Sequence, residues 1–194
     1  MRRILFACAA VVPALVAGCT PAAQPTPSAT PVPTVAAPTL QLMCTPEEGG
    51  TASPCTQAEY DAMIARDKLY DEAKAVLAKF NEESEALLRA GATASPDLLA
   101  MTVGKGTEIT AEGHPSGIRW EGGEFRREWV KRLVGQSKEG SVVALELCTD
   151  ASTVRATDGV DSIDGVISSE RFYFAGSEGA LRIALIEFKE VPKC

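Results

Sequence analysis

Histidine is almost missing from this chain: its 194 residues hold one, His114. A site built on two or more histidines is therefore excluded. Cysteines are present, but no two stand at a Cys-x-x-Cys spacing, which argues against a thiolate metal site. Ser116 does not sit in a Gly-x-Ser-x-Gly elbow, so the sequence carries no signal for that class of serine hydrolase. Positive charge is scarce as well, with 19 Lys and Arg against 26 Asp and Glu and a formal net charge of −7. Nucleic-acid binders carry a clustered basic excess, so no nucleic-acid partner is expected. The length suffices for one domain plus extras but not for two ordinary domains. With 45% hydrophobic and 23% charged residues, the composition fits a folded globular protein. Nothing in it implies a cofactor.

The N-terminus reads as an address. Arg2 and Arg3 give a positive start, and Ile4 to Val16 is an apolar run of signal-peptide length, too short to span a bilayer comfortably. Leu15-Val16-Ala17-Gly18-Cys19 closes it. This pentapeptide resembles the bacterial lipobox. The resemblance implies cleavage after Gly18, so that residues 1–18 are a signal peptide, and diacylglycerol on the Cys19 sulfur. Two acyl chains give a stable anchor where one would be marginal. The expected location is the extracytoplasmic face of the bacterial cell membrane, with the membrane itself a partner through Cys19. Losing Arg2 and Arg3 leaves 17 basic against 26 acidic residues, a net charge near −9. An anionic membrane repels such a chain.

Residues 19–43 follow as a tether. Pro21, Pro25, Pro27, Pro31, Pro33 and Pro38 stand among alanine, threonine and serine, without apolar periodicity. Proline breaks both helix and ladder. The expectation is an extended spacer, reaching roughly 60–70 Å at ~3.1 Å per residue in polyproline II. Its composition also resembles O-glycosylated stalks, with Thr26, Ser28, Thr30 and Thr34 as candidates.

Of the six cysteines, Cys8 leaves with the signal peptide and Cys19 takes lipid. Cys44, Cys55, Cys148 and Cys194 remain. An even number in an exported chain predicts two disulfides, though four cysteines allow three pairings. Cys44–Cys55 with Cys148–Cys194 is the favoured choice. The first pair flanks a turn-rich stretch poor in apolar residues, and the second would pin the last residue to the end of a strand.

Residues 44–194 form one folded domain. Thr56-Gln57-Ala58-Glu59 reads as a capping box. The spacing of Leu69, Ala73, Val76, Phe80 and Leu87 predicts a long helix to about Ala90, stopped by Gly91. Ser95-Pro96 opens a short helix through about Met101. Strands are predicted at Ser141–Cys148, Val166–Ala175 and Leu181–Phe188, with Gly176–Gly179 joining the last two as a hairpin. Phe125 to Val134 fits helix and strand equally; flanking glycines and the need for a sheet partner favour strand. The fold class is α+β, with a curved antiparallel sheet of about four strands around a long helix.

This order resembles the cone-shaped, cystatin-like α+β fold of the nuclear transport factor two-like superfamily, which includes polyketide cyclase-like domains. The whole layout is similar to actinobacterial lipoproteins of unknown function with such a domain. The residues that carry the likeness are the lipobox at Cys19, the Pro/Thr tether, the helix around Tyr70–Leu88, and Leu147-Cys148-Thr149-Asp150 with Cys194 at the close. The resemblance implies a cone interior that holds an apolar ligand or an acid/base pair, and a sheet through which copies pair as a homodimer.

Candidate chemistry is thin. His114 lies in Gly113-His114-Pro115-Ser116-Gly117, a loop that predicts an exposed side chain; as an acid/base it needs a carboxylate such as Glu112 or Glu121 nearby. Asp158, Asp161 and Asp164 are spaced by three, whereas a calcium-hand loop alternates at every second residue, so Asp-Gly turns are the simpler reading. Arg126, Arg127, Lys131 and Arg132 make a basic cluster that fits an anionic wall polymer or, more simply, the wet face of a strand. Tyr70, Phe80, Trp120, Phe125 and Trp129 are candidates to line an apolar pocket. The leading expectation is a lipid-anchored, non-enzymatic domain that binds a small apolar ligand or a partner protein of the envelope. The alternative is a small cone-fold enzyme, isomerase-, cyclase- or hydratase-like, using His114 and a carboxylate. A cone plugged by aromatic side chains would point instead to a pure interaction module.

Overall fold

Thr56 opens the longest element. Its hydroxyl accepts the Glu59 amide at 3.3 Å, and the Glu59 carboxylate accepts the Thr56 amide at 2.8 Å. These bonds satisfy donors that a helix start leaves orphaned. Helix α1 then runs Gln57–Ala90. It ends where Gly91 turns left-handed at φ 66° and the amides of Gly91 and Ala92 close onto Leu88 and Leu87. A Cβ is unfavourable in that conformation, which is why the stop is glycine. The structure, a computed structural model, describes residues 41–47 and 49–194. The signal peptide, Cys19 and the tether up to residue 40 lie outside the described residues.

Helix α2 (Pro96–Ala100) is capped by the Ser95 hydroxyl, which accepts the Leu98 amide at 3.0 Å. Helix α3 (Lys105–Glu112) follows at once and was not expected. Its sequence mixes glycine, threonine and charge without an apolar stripe. It is held by close approach: Gly106 lies against strand β9 (Arg182–Glu190), where an added Cβ would stand 2.2 Å from the Ile183 carbonyl oxygen.

The main sheet is an antiparallel meander of β4 (Arg126–Arg132), β5 (Val143–Asp150), β8 (Ile167–Ala175) and β9, in that spatial order. The ambiguous Phe125–Val134 stretch is thus a strand, with a bulge between Arg127 and Trp129. A second, smaller sheet of β3 (Arg119–Glu121), β6 (Arg155–Thr157) and β7 (Ser162–Asp164) was not foreseen. Strands of three residues are too short to show alternation. A two-stranded ribbon, β1 (Met43–Cys44) with β2 (Ser53–Pro54), precedes α1.

The core lies between α1 and the main sheet. Tyr70, Ala73, Leu77 and Phe80 from the helix meet Leu98, Val143, Leu145, Leu147, Phe172, Phe174 and Ile183. Phe80 meets Phe172 edge to face at 6.1 Å. Burying each large apolar side chain contributes about 1.5–3 kcal/mol. Disulfides join Cys44 to Cys55 and Cys148 to Cys194. The first closes the β1–β2 ribbon. The second ties the last residue of the chain to β5, where the Trp129 indole donates to the Cys194 carbonyl at 3.4 Å.

Candidate functional site

The last turns of α1 carry Asn81, Ser84, Glu85 and Leu88 at helical spacing on one side. Opposite them lie Phe125, Arg127, Thr149 and Glu170 from the main sheet and its approach. Together they line a cleft of about 110 Å³. Full ligand pockets run to about 300–1,000 Å³, so this cleft admits one functional group rather than a whole small molecule.

Glu170 is its distinctive group. Along β8 the side chains alternate, so Glu170 shares a side with Phe172 and Phe174, which are core residues. Burial pushes the Glu170 carboxyl above the usual carboxylate range, with hydrogen bonding from Ser168 and Thr149 and the charge of Arg127 acting the other way. The Ser168 hydroxyl donates to Glu170 Oε1 at 2.8 Å. Arg127 gives its guanidinium elsewhere, to Glu85 at 3.1 Å and to the Asn81 carbonyl at 3.2 Å. Glu85 also holds Arg89 at 3.1 Å. Among the described residues, no basic side chain is within ion-pair distance of Glu170.

The wall beside it is cross-linked by side-chain contacts. Arg89 donates to the carbonyls of Gly122 and Gly123 and stands 5.4 Å over the Phe125 ring. The Trp120 and Phe125 rings meet at 5.6 Å.

His114 corrects an expectation. The loop sequence predicts exposure, yet the side chain is 5% exposed. The reason is α3, which carries the chain inward so that the open loop begins only after His114. Nδ1 stands 2.8 Å from the Thr110 carbonyl oxygen and Nε2 3.0 Å from Ser84 Oγ. A carbonyl only accepts, so Nδ1 bears the proton. In the neutral ring Nε2 then accepts the Ser84 hydroxyl, and the Ser84 oxygen is left as an acceptor on the cleft. Neither Glu112 nor Glu121 is a hydrogen-bond partner of His114.

The remaining candidates scatter. Tyr70 and Phe80 are packed into the core, not around a cavity. Tyr70 keeps its hydroxyl on Glu47 at 2.6 Å, and burial first, then that bond, pushes its ionisation well up. Trp120 and Phe125 come together, and Phe125 alone of the five lines the cleft. Trp129 lies apart, with Lys131 Nζ 3.7 Å over its ring. Asp158 accepts the amides of Val160 and Asp161 at 2.8 Å, bonds that hold its carboxyl below the usual range. Asp164 pairs with Arg155 at 3.1 Å. Asp158, Asp161 and Asp164 thus belong to the β6–β7 hairpin, and no metal-binding group of side chains occurs among the described residues. The basic cluster is divided among partners: Arg126 on Asp150, Arg127 on Glu85, and Arg132 on Asp67 at 2.7 Å and over the Tyr70 ring.

The opposite side of the main sheet is polar. Across it the register sets Lys131, Glu146, Arg171 and Glu187 in one row of alternating charge. Glu146 accepts Arg171 at 3.3 Å and Ser169 at 2.7 Å.

Sequence reasoning missed Glu170 and Ser84. The alternation of Ser168, Glu170, Phe172 and Phe174 held the signal for the first: an acid in register with a buried aromatic pair. Nothing in the sequence marked Ser84, whose role depends on where α3 delivers His114.

Comparison with known proteins finds no family model, no curated protein and no solved structure that matches this chain. No helix among the described residues is long and apolar enough to cross a membrane. The two disulfides accord with an oxidising, extracytoplasmic setting.

Proposed function

We propose that this chain is a lipid-anchored cell-envelope protein whose folded domain binds a ligand or partner there and is not an enzyme. The observation that carries the reading is the filled interior, which tells against an apolar ligand inside the fold and favours a partner on its surface. Tyr70, Phe80, Phe172 and Phe174 occupy the space between helix and sheet where a carrier or a cone-fold enzyme needs a cavity. The depressions among the described residues lie outside that core, among them the cleft at Glu170, one lined by Arg66, Asp67 and Arg132, and one lined by Glu146, Arg171 and Glu187. Placement in the envelope is supported by the lipobox residues ending at Cys19 and by the disulfides.

The enzymatic reading, with His114 as acid/base, has less support. Both ring nitrogens of His114 are engaged inside the protein, so neither is free to exchange a proton with a substrate. A relation to the nuclear transport factor two-like superfamily is part of the proposal. It rests on the order of long helix, short helices and antiparallel meander.

The test has two arms. The chain produced in a bacterial host should be acylated and sediment with membranes, and Cys19→Ser should release it to the soluble fraction. The Cys19→Ser chain should then be retained on sedimented envelope material. Native mass spectrometry and light scattering on the same chain separate a small ligand, a homodimer and a foreign partner. A monomer with no retention and no added mass overturns the binding reading; membrane association surviving Cys19→Ser overturns the anchor.

A further inference from the structure

We propose that the depression between the first half of α1 and the end of β4 binds a singly charged oxyanion carried on an apolar stem, with the Arg66 and Arg132 guanidiniums as its anchors. This deepens the binding reading above and rests on it for the envelope setting. The choice of ligand comes from the geometry and charge of the lining.

Asp67 organises the two anchors. Its Oδ1 accepts Arg66 Nε at 3.2 Å and Arg66 Nη2 at 3.1 Å, and it also accepts Arg132 Nη1 at 2.7 Å. One carboxylate oxygen thus gathers a guanidinium from the helix and a guanidinium from the strand. Tyr70, three residues beyond Asp67 and so on the same side of α1, lays its ring against Arg132, whose Cζ is 4.5 Å from the ring centroid. That ring is buried, and its hydroxyl donates to Glu47 at 2.6 Å. Arg132 is therefore held by one edge and one face before any ligand arrives. A guanidinium has five N–H donors in a fixed fork. Among the described residues, Arg132 uses one of them, on Asp67. Arg66 uses its donors on Asp67 and, at 3.5 Å, on the Thr45 carbonyl. Both side chains line the depression, with N–H groups left for a second oxyanion.

Charge selects the sign of the ligand. Arg66, Lys131 and Arg132 face Glu47 and Asp67 around the depression. The balance is one positive charge, in a chain whose net charge is −7. Asp67 can match only one of its two guanidiniums, and Glu47 is turned onto the Tyr70 hydroxyl. A monoanion completes the set, whereas an ammonium group adds to the excess. The acidic remainder of the chain is screened beyond about 10 Å at ordinary salt, so the charges in contact decide. Guanidiniums hold phosphate and carboxylate oxygens by paired N–H bonds. Size and polarity select the stem. The volume is about 630 Å³, inside the roughly 300–1,000 Å³ of small-molecule sites. Half-buried Leu133 and Val134, with Pro46, give an apolar stretch beside the guanidiniums.

The experiment titrates the Cys19→Ser chain with dibutyl phosphate, hexanoate, hexanamide and hexylammonium, followed by NMR of the backbone amides and the arginine Nε–H groups. Saturable shifts at Arg66, Asp67, Arg132 and Leu133 are expected with the two anions and not with the amide or the cation. The tighter of the two anions tells a phosphodiester ligand from a carboxylate. Arg66→Gln and Arg132→Gln should each weaken binding about tenfold, the usual size for a lost bond to a charged group. Arg132→Lys keeps the charge and loses the fork, so it should restore only part of that loss. Lys131 is exposed and outside the Asp67 contacts, so Lys131→Gln keeps the test open if an arginine variant fails to fold; it should weaken binding about threefold. Hexanamide binding as tightly as hexanoate overturns the proposal. So does an affinity unmoved both by Lys131→Gln and by raising salt from about 0.05 M to about 0.5 M. No saturable shift with either anion, from a chain still retained on envelope material, overturns the oxyanion site and leaves the binding reading standing. Anion binding without envelope retention upholds the site and removes the envelope reading; loss of both removes both.

Discussion

Ser84 Oγ stands 3.0 Å from His114 Nε2, and the other ring nitrogen of His114 stands 2.8 Å from the Thr110 carbonyl. The imidazole is a rivet between α1 and α3, not a free base. Removing it strands a carbonyl and a hydroxyl and opens a void. His114→Ala should cost about 2–4 kcal/mol of stability by urea unfolding, and Ser84→Ala about 1 kcal/mol. The double variant should cost less than the two together, because the bond is counted in both. A loss from His114→Ala below about 0.5 kcal/mol, the usual size for a surface substitution, would show the imidazole bonds to be incidental.

Glu170 makes stability depend on pH in one direction. Its folded-state pKa is raised by burial, so the folded chain holds this proton more tightly than the unfolded chain does. Stability is therefore lost as pH rises from the unfolded value toward the folded one, and it stays lower above that. Arg127 offsets part of the burial, while Glu85 is occupied by Arg127 and Arg89. Glu170→Gln removes the titration. Its melting temperature should exceed that of the natural chain at pH 7, and the gap should close below about pH 4, near the unbound carboxylate value. A gap independent of pH would mean that the carboxyl is ionised throughout.

Asp150 acts in the opposite sense. Hydrogen bonds from the Ser152 hydroxyl and amide, and then from Arg126, pull its pKa down to about 2. A depressed folded-state value adds stability above the unfolded value near 3.9, and that contribution is lost as pH falls through the folded value. Asp150→Asn should therefore lower stability modestly at neutral pH, the site being exposed, and flatten the acid limb so that the two chains converge by about pH 2. An acid limb identical to that of the natural chain would show the Ser152 contacts to be without consequence.

The helix was legible because its signals are local. A capping box, a three-and-four apolar stripe and a terminal glycine lie within α1 itself. Strands β5, β8 and β9 were legible from runs of valine, leucine, isoleucine and aromatics, whereas β4 fits helix and strand equally and is assigned from its flanking glycines and the need for a sheet partner. The small sheet was not, since three-residue strands carry no period. Helix α3 was not, because its contact with β9 is made through a glycine and backbone rather than an apolar stripe. That omission is why His114 was placed in solvent. Glu170 is readable by alternation, though it does not stand out among the polar residues of the strand; Ser84, which lines the same cleft, is brought there by tertiary packing alone.

Gly106 tests that account of α3. An added Cβ would meet the Ile183 carbonyl at 2.2 Å, and the neighbouring bonds, Val103 amide to Ile183 carbonyl and Ile183 amide to Met101 carbonyl, are both 2.9 Å. The obstacle is backbone and cannot rotate away. Gly106→Ala should destabilise by about 2 kcal/mol or more, although alanine is the better helix former by about 1 kcal/mol. Hydrogen exchange should speed at the start of β9. A stabilised variant would mean that α3 does not dock there.

The two disulfides close loops of different length, 11 and 46 residues apart in sequence. Chain entropy assigns them about 3 and about 4 kcal/mol. The native contacts sharpen the difference. Cys148 is a buried residue of the central strand β5, and its bond fixes the end of the chain beside Trp129. The Cys44–Cys55 bond fixes the short ribbon whose loop brings Glu47 to the Tyr70 hydroxyl. Cys148→Ala with Cys194→Ala should therefore lower the melting temperature more than Cys44→Ala with Cys55→Ala. The second pair should chiefly loosen the Glu47 contact, and Tyr70→Phe should mimic part of that loss at about 1 kcal/mol. The reverse order of melting temperatures would mean that the ribbon, and not the tied C-terminus, is what holds the helix to the sheet.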